Sequence, residues 1–441
     1  MFIERDILKK LTEWKNSKKR KPLILSGARQ TGKTLAMQTF GKRNFKYTAY
    51  FNFDETEELK HEFEQTKDPK RLIERLSFYT DVPIDKRDTL IIFDEIQECN
   101  KALNSLKYFS ENAPEYCVVC AGSLLGVSLS KGDSFPVGKV DFMNLYPLTF
   151  SEFLAAQSNE LFLFINNLSA IETIPQIIFA KFKDVYQKYQ ISGGMPAAVS
   201  ELLDNTGTNA VEERLQGILN SYVLDFAKHI EKADIARISA IWNSVPSQLA
   251  KENKKFIYKL VKPGARAREY EDALLWLEHC GLIYRVFSAS KPALPLRAYD
   301  DTTAFKIYLS DIGLLRKLAK LPAAAVLADN NLFVEFKGAL AENFVLQSLI
   351  TQFEVKPRYW VSQGKAEIDF LLQNDIDIVP IEVKSAANVS SKSLSVYDKE
   401  YSPEFRIRYS LNNLKCDGNL INIPIFFADW TKRILSVLAD G

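Results

Sequence analysis

The 441-residue sequence predicts an α/β fold with a parallel sheet near its N-terminal end, followed by two smaller domains. Three observations support this prediction. Short all-apolar runs such as Leu23–Leu25 and Leu90–Phe93 have the length and composition of buried parallel strands. Stretches with helical spacing separate these runs, as expected where helices connect parallel strands. At roughly 100–200 residues per domain, the length suits about three domains.

Composition and charge exclude several classes of protein. Hydrophobic residues make up 46% and charged residues 25%, and the net charge of +2 excludes a histone-like or an acidic disordered chain. The residues His61, His229 and His279 are too scattered for a histidine-rich metal site. Cys117 and Cys120 form the only C-x-x-C pair, which is too few ligands for a zinc ribbon. We expect both cysteines to be buried strand thiols.

The N-terminal sequence and the cysteine count predict a cytoplasmic protein. Met1–Asp6 lacks the basic-then-apolar order of a signal peptide. The apolar run Leu161–Ile165 is far shorter than the ~20 residues that cross a bilayer. An odd count of 5 Cys suits a reducing compartment. We therefore expect no membrane partner.

Residues 27–34 match the pattern G-x-x-x-x-G-K-[ST] at every fixed position, between an apolar strand and a stretch typical of a helix. Glycines let the backbone N–H groups of such a loop point at phosphate oxygens, and the helix N-terminus faces the same phosphates. We expect Lys33 to neutralise the β- and γ-phosphates and Thr34 to offer its hydroxyl to Mg²⁺. The candidate nucleotide-binding residues are Gly27, Ala28, Arg29, Gln30, Thr31, Gly32, Lys33, Thr34 and Leu35.

Acidic residues after a later strand supply the expected metal-binding and water-activating groups. The run Leu90–Phe93 ends in Asp94, which we expect to hold Mg²⁺ through a water at the carboxyl end of the strand. Glu95 is the candidate general base that polarises the attacking water. Another strand, Tyr116–Ala121, leads to Ser123, the candidate γ-phosphate sensor, with an ordinary turn serine as the alternative. These motifs predict a Mg²⁺-dependent ATPase.

Several segments resemble a large prokaryotic family of AAA+-like ATPases that continue into a C-terminal domain of unknown function. The N-terminal matches are Gly27–Thr34, Phe93–Gln97, Ala121–Leu125 and Leu145–Phe153. The later matches are Ser192–Pro196, Lys306–Gly313, Glu367–Asp369 and Ile381–Lys384. The resemblance implies ATP binding and hydrolysis. This family usually has an arginine after the sensor segment, where this chain has Lys139, and a lysine cannot form a planar fork on phosphate.

The middle of the chain predicts a helical lid and then a winged helix. Residues 151–230 have helical spacing, interrupted at Ser192–Pro196, a candidate hinge. We expect one helix around Ile235–Trp242, a second from Val245, a third over Arg266–His279 and a wing strand at Gly281–Phe287. Basic residues in this region either contact DNA phosphates or are solvated. They are Lys251, Lys254, Lys255, Lys259, Lys262, Arg266 and Arg268.

The last hundred residues contain a second set of chemical groups. Alternation along a predicted strand places Glu382 and Lys384 on one face, and Asp369 lies in the preceding strand. Two such carboxylates can hold Mg²⁺ while the lysine stabilises negative charge in phosphate-ester cleavage. The arrangement resembles the PD-(D/E)XK nuclease fold, which implies metal roles for Asp369 and Glu382, and Glu342 matches an acidic residue of its first helix. An ion-paired, inactive site is the alternative.

These predictions define an AAA+-like ATPase with helical lid in residues 1–205, a helical linker and winged helix in 206–320, and a nuclease-like domain in 321–441. The expected ligands are ATP and Mg²⁺. Double-stranded DNA is the expected partner of the last two domains, and a homo-oligomer is compatible with this assignment. The alternative function is a regulatory ATP switch whose nuclease-like domain is inactive and binds DNA or a protein.

Overall fold

The computed structural model describes residues 3–122, 136–229, 232–251, 254–328, 334–364, 366–385 and 392–439. The chain forms two compact units. The N-terminal unit comprises Glu4–Tyr146 and Leu275–Leu282. The C-terminal unit comprises mainly Pro147–Leu274 and the chain from Ile283 onward.

A parallel five-stranded sheet forms the centre of the N-terminal unit, in the order β2-β3-β4-β1-β5. Its strands are β1 (Leu23–Ser26), β2 (Tyr47–Asn52), β3 (Thr89–Asp94), β4 (Cys117–Gly122) and β5 (Asp141–Asn144). Its helices are α1 (Ile7–Asn16), α2 (Lys33–Asn44), α3 (Glu57–Gln65), α4 (Pro69–Leu76) and α5 (Asn100–Asn112). The predicted α/β fold with a parallel sheet is confirmed.

Aromatic packing on β3 fixes where that strand ends. Phe93 is fully buried and packs edge to face against Phe53, Phe63 and Phe109, with ring centroids 5.7, 5.6 and 6.2 Å away. All six residues of β3 are buried, as the all-apolar run predicts. Because Phe93 is anchored in this core, the next residue, Asp94, lies at the carboxyl edge of the sheet.

The C-terminal unit combines many helices with a larger, mixed sheet. Its helices are α6 (Phe150–Gln157), α7 (Asn159–Asn166), α8 (Gln176–Ser192), α9 (Pro196–Leu203), α10 (Thr208–His229), α11 (Lys232–Leu249), α12 (Tyr258–Val261), the first part of α13 (Ala267–His279), α14 (Ile312–Leu318), α15 (Ala323–Leu327), α16 (Val334–Gln352), α17 (Lys392–Tyr401) and α18 (Thr431–Ala439). The residues of α13 from Leu275 onward belong to the N-terminal unit. Its strands are β6 (Ile283–Ala289), β7 (Asp300–Leu309), β8 (Arg358–Val361), β9 (Glu367–Asn374), β10 (Asp377–Val383), β11 (Arg406–Ser410), β12 (Lys415–Asp417) and β13 (Leu420–Pro424).

The mixed sheet has the strand order β12-β13-β11-β10-β9-β8-β6-β7. Strands β8, β9 and β10 are antiparallel neighbours, whereas β10, β11 and β13 run parallel. The hairpin of β6 and β7 joins this sheet through a pairing of Ser288 with Tyr359. The strand expected at Gly281–Phe287 to form a wing, observed as β6, is therefore part of the larger sheet.

One sequence prediction differs from this architecture. A single helix, α11, replaces the two predicted helices, because Ile238, Trp242, Val245 and Leu249 form one buried stripe that continues past Pro246. The domain boundaries expected at 205/206 and 320/321 remain predictions, and both lie in the part of the chain that forms the C-terminal unit.

Aromatic contacts explain why the predicted helical lid belongs to the C-terminal unit. Phe344 of α16 packs edge to face against Phe150 of α6 and Tyr186 of α8, with centroid distances of 6.1 and 4.9 Å. In the same unit, Phe182 of α8 stacks on Phe426 at 5.7 Å. These contacts join α6 and α8 to α16 and to a short 3-10 helix, Ile425–Trp430, that follow much later in the sequence.

The Gly-Gly segment predicted as a hinge is held on both sides. The Gly194 N–H donates to Asp311 at 2.6 Å, and its carbonyl accepts from the Leu148 N–H at 2.6 Å. A Cβ on Gly194 would lie 2.0 Å from the Leu148 carbonyl oxygen, and one on Gly193, whose φ is +62°, would lie 2.2 Å from an Asp311 carboxylate oxygen. This segment is a tightly packed junction, which corrects the hinge prediction.

The Gly194→Ala variant is expected to lower the stability of the protein. The added methyl group overlaps backbone that cannot yield, and overpacking of this kind costs about 1–3 kcal/mol. The matched control is Gly217→Ala, because a Cβ at Gly217 in α10 meets no atom within 4 Å. That control should leave stability equal or raised by up to about 1 kcal/mol. Equal midpoints of chemical denaturation for both variants would contradict the packing described for Gly194.

Candidate functional site

The loop between β1 and α2 depends on two glycines. Gly27 has a φ of +151°, and a Cβ there would lie 2.2 Å from the Leu145 carbonyl oxygen. Gly32 has a φ of +92° and immediately precedes the first residue of α2. Only glycine adopts both conformations without strain. The loop therefore has the tight backbone that the sequence motif predicts.

The ammonium group of Lys33 is folded into this loop. Lys33 is only 7% exposed, and its Nζ donates to the carbonyl oxygens of Gly27 at 2.9 Å and Ala28 at 2.8 Å. Burial lowers the pKa of Lys33 to about 8, and the carboxylates of Glu95 and Asp94 offset part of that shift. The partners of this buried cation are neutral carbonyl groups, which phosphate oxygens can replace.

The structure brings Thr34 and Asp94 together, although they lie 60 positions apart in the chain. The Thr34 hydroxyl donates to Asp94 Oδ2 at 2.6 Å. The Tyr50 hydroxyl donates to the same oxygen at 2.9 Å, and the Glu95 N–H donates to Asp94 Oδ1 at 3.0 Å. An alcohol and a carboxylate side by side are oxygen ligands of the kind that Mg²⁺ takes, so these residues fit that ion.

Glu95 has a left-handed backbone and a fixed side chain. Its φ is +50°, a conformation that is uncommon outside glycine. Its carboxylate Oε2 accepts a hydrogen bond of 2.5 Å from the Gln97 side-chain amide. Sequence reasoning assigned no role to Gln97 or Tyr50, although both lie close to the acidic pair in sequence or in the sheet. The pairing of Tyr50 with Ile92 in β2 and β3 is what brings its hydroxyl near Asp94.

Arg5 also supports the loop, and no local motif indicates it. Its guanidinium donates to the Thr31 carbonyl at 3.0 Å and to the Tyr146 carbonyl at 2.8 Å. The Thr31 hydroxyl in turn donates to the Ala28 carbonyl at 2.8 Å. A lone arginine before the first strand carries no sequence signal for this role, because its partners are backbone atoms of distant segments.

The remaining predicted residues of this site have different outcomes. Leu35 is 58% exposed and lies in the first turn of α2. Arg29 and Gln30 lie in the loop, and Gln30 has a φ of +63°. Ser123 lies outside the described residues. Lys139 forms an ion pair of 2.8 Å with Glu111 in the same unit.

A second charged cluster lies in the C-terminal unit and contains all four residues predicted there. The Tyr308 hydroxyl donates to Glu342 at 3.0 Å, and Lys254 forms an ion pair with the other oxygen of Glu342. The Val383 N–H donates to Asp369 Oδ2 at 2.8 Å. Lys384 forms an ion pair of 3.0 Å with Glu382.

Lys306, which sequence reasoning did not assign to this cluster, is its most deeply buried cation. Its side chain is 1% exposed, and Nζ lies 2.5 Å from Glu367 Oε1 and 3.9 Å from Asp369 Oδ1. Burial opposes its charge, but Glu342, Glu367 and Asp369 together raise the pKa of Lys306 above its usual value. The lysine therefore remains an ammonium ion among carboxylates.

This environment shifts the pKa values of two carboxylates, Asp369 and Glu342, in opposite directions. Burial and the charge of Glu342 raise the pKa of Asp369 to about 7, against the opposing effect of Lys306. Burial acts to raise the pKa of Glu342 as well, but Lys254 and Lys306 hold it below the usual value. Lys254 is thus a partly buried ion-pair partner of Glu342, unlike the DNA-contacting or solvated side chain that the sequence left as alternatives.

The described part of the chain contains no group of three or more His, Cys, Asp or Glu residues placed to hold a metal ion. In the second cluster, lysine ammonium groups already neutralise Glu342, Glu367 and Glu382. Asp369 accepts a hydrogen bond from the Val383 N–H and lies 3.9 Å from Lys306, whereas Glu382 Oε2 has no hydrogen-bond partner among the described residues. Among the helices that the structure describes, none is long and apolar enough to cross a membrane.

Three protein-family descriptions match successive parts of the chain. An AAA domain matches residues 19–154, a domain of unknown function (DUF8612) matches 183–325, and another (DUF4143) matches 337–426. None of the curated proteins matches the sequence. The first of these matches and the geometry of the loop support an AAA-type P-loop ATPase.

Solved structures with similar folds are distant. The Walker-type ATPase of Pyrococcus abyssi is 14% identical with a TM-score of 0.43, and the alignment covers 72% of this chain and 96% of that one. The Holliday junction branch migration motor RuvB of Thermotoga maritima is 14% identical with a TM-score of 0.32, covering 65% and 90%. AMPPCP-bound DnaA of Aquifex aeolicus is 14% identical with a TM-score of 0.29, covering 63% and 89%. These similarities are too weak to indicate a function for this chain.

Proposed function

We propose that the N-terminal unit binds ATP with Mg²⁺ and hydrolyses it. The observation that carries this proposal is the contact of Thr34 with Asp94 beside the buried Lys33. A cation for phosphate, Lys33, and two oxygen ligands for Mg²⁺, Thr34 and Asp94, therefore lie together at the carboxyl edge of a parallel sheet, where ligands bind in folds of this class. The match of residues 19–154 to an AAA domain supports the same function.

Each residue has a defined task in this proposal. Thr34 and Asp94 would hold Mg²⁺, which neutralises phosphate charge when bound. Lys33 exchanges its hydrogen bonds with the loop carbonyls for contacts with oxygens of the β- and γ-phosphates. Because its ammonium group is already buried, binding ATP removes little further water from it. Glu95 accepts a hydrogen bond from the attacking water and orients it towards the γ-phosphate. Ser123 is retained as the proposed γ-phosphate sensor.

The Lys33→Ala and Glu95→Gln variants should separate binding from hydrolysis. Removing Lys33 is expected to abolish ATP binding, because the phosphates lose their principal cation. Glu95→Gln should keep ATP affinity but lower kcat by about 10²–10⁴-fold, since an amide cannot accept the proton of water. Isothermal titration and phosphate-release assays measure the two effects.

The matched control for these variants is Lys42→Ala, because Lys42 is an exposed lysine of the same helix. It should retain both ATP affinity and turnover. Retained ATP binding in the Lys33→Ala protein would overturn the proposed site. Unchanged turnover in the Glu95→Gln protein would remove Glu95 from the role of base.

For the C-terminal unit we propose a regulatory role in which it contacts double-stranded DNA without cutting it. The order of α16, β8, β9, β10, α17 and β11 agrees with the resemblance to the PD-(D/E)XK nuclease fold. Lys306, however, supplies the positive charge that a nuclease takes from a metal ion. This observation favours an ion-paired site over an active one.

Exposed basic residues provide the proposed DNA contacts. Lys259, Lys262, Arg266 and Arg268 are all exposed and lie within ten residues of one another. Side chains of this kind bind phosphates without reading sequence, so the expected affinity is strongly salt-dependent. ATP turnover would respond to DNA through this surface. A homo-oligomer remains part of the proposal, as expected for an AAA-type ATPase.

The full chain is expected to leave supercoiled plasmid DNA intact in the presence of Mg²⁺ or Mn²⁺. The reason is that the carboxylates that would bind the ion are neutralised by lysines. Conversion of the plasmid to its nicked or linear form, followed on agarose gels, measures the activity. Metal-dependent nicking that is lost in Asp369→Ala but kept in the control Asp417→Ala, an exposed carboxylate, would contradict the proposal.

A further inference from the structure

Gln97 is a residue of the nucleotide site to which the proposed ATPase reaction assigns no role. It lies two positions after Glu95, in the short 3-10 helix Ile96–Glu98 that follows β3. Its side-chain nitrogen Nε2 donates a hydrogen bond to Glu95 Oε2 at 2.5 Å. The amide of Gln97 is therefore in direct contact with the carboxylate that orients the attacking water in the proposed reaction.

Buried neighbours fix the backbone that carries Gln97. Ile96 is fully buried, Cys99 is 6% exposed, and both belong to the same hydrophobic core. The Glu98 N–H donates to the Glu95 carbonyl at 3.0 Å. The Cys99 N–H donates to the Ile96 carbonyl, also at 3.0 Å. The turn that contains both Glu95 and Gln97 is thus anchored, so the contact between their side chains starts from a fixed backbone.

Two unfavourable features occur at this contact. Glu95 has a left-handed backbone with a φ of +50°. Gln97 Oε1 is buried and has no hydrogen-bond partner among the described residues, which lowers stability. Features of this kind concentrate at functional sites, where the surrounding structure maintains them. The orientation of the amide therefore favours the contact with Glu95 over complete pairing of its own polar atoms.

The hydrogen bond from Gln97 also opposes the attraction between Glu95 and Lys33. The negative charge of Glu95 raises the pKa of Lys33, against the larger effect of burial, so the two groups interact electrostatically. Without the amide, this attraction would draw the Glu95 carboxylate towards the ammonium group and away from water. The amide N–H is neutral, so it holds Oε2 without cancelling the charge of the carboxylate. The other carboxylate oxygen, Oε1, is left for the water.

We propose that Gln97 is a positioning residue for ATP hydrolysis, whose amide holds the Glu95 carboxylate in the orientation that accepts a hydrogen bond from the attacking water. This inference rests on the proposed ATPase function and adds a residue to it. Gln97 acts through Glu95 and contacts neither the nucleotide nor the water. Its loss therefore lowers the rate of hydrolysis, whereas ATP affinity, which depends on Lys33 and the loop, is retained.

The Gln97→Met variant of the full chain tests this role, because methionine has a similar length and shape but no N–H donor. We expect kcat for ATP hydrolysis to fall by about 10- to 100-fold, since a misplaced catalytic group costs up to about 10²-fold in rate. KM and the ATP affinity measured by isothermal titration should be unchanged, and the thermal unfolding midpoint should not decrease. The matched control is Gln65→Met, which alters an exposed glutamine at the end of α3 and should leave kcat unchanged.

A double-mutant cycle with Glu95→Gln shows whether Gln97 acts through Glu95. In a chain that already carries Glu95→Gln, adding Gln97→Met should lower kcat by less than about twofold, because no base is left to position. Native kcat in Gln97→Met, or equal losses with and without Glu95→Gln, overturns the positioning role alone. Unchanged kcat in Glu95→Gln overturns the base assignment and this inference together. A lower unfolding midpoint with weaker ATP binding in Gln97→Met would show a structural role and also overturn the inference.

Discussion

A buried lysine ammonium needs oxygen atoms close by. The P-loop site and the charged cluster of the C-terminal unit each provide such oxygen atoms, but of different kinds. Lys33 meets this need with the carbonyl groups of Gly27 and Ala28, whereas Lys306 meets it with the carboxylates of Glu367 and Asp369. The backbone of the P-loop and the pairing of the strands beside Lys306 both serve to bring these partners into place.

The nature of the partners decides what each centre can do. Carbonyl groups are neutral, so the partners of Lys33 do not cancel its charge, and in the proposed function that charge serves a phosphate while Thr34 and Asp94, which contact each other, serve a cation. Carboxylates cancel the charge of Lys306 and are themselves cancelled by it, which leaves little attraction for a metal ion. Removing one partner from such a buried pair leaves an uncompensated charge and destabilises the fold, so we expect the ion pairs to persist.

The sequence was sufficient to predict the N-terminal sheet, the P-loop and the acidic pair, because these features are local. Gly27, Gly32 and the run before Asp94 signal their conformation through neighbouring residues alone. Lys306, Lys254 and Arg5 could not be assigned, because their partners lie 26 to 141 residues away in the chain. The prediction of a hinge at Gly193 and Gly194 was wrong for the same reason, because the residue that holds this segment, Asp311, is remote in sequence.

The central claim is that only the P-loop centre takes a divalent cation. Mn²⁺ binding to the full chain, followed by electron paramagnetic resonance with a non-hydrolysable ATP analogue present, tests this claim most directly. The account predicts saturation at a single Mn²⁺ per chain, with that ion lost in the Lys33→Ala protein. A second Mn²⁺ that remains in the Lys33→Ala protein and disappears with Asp369→Ala would contradict it.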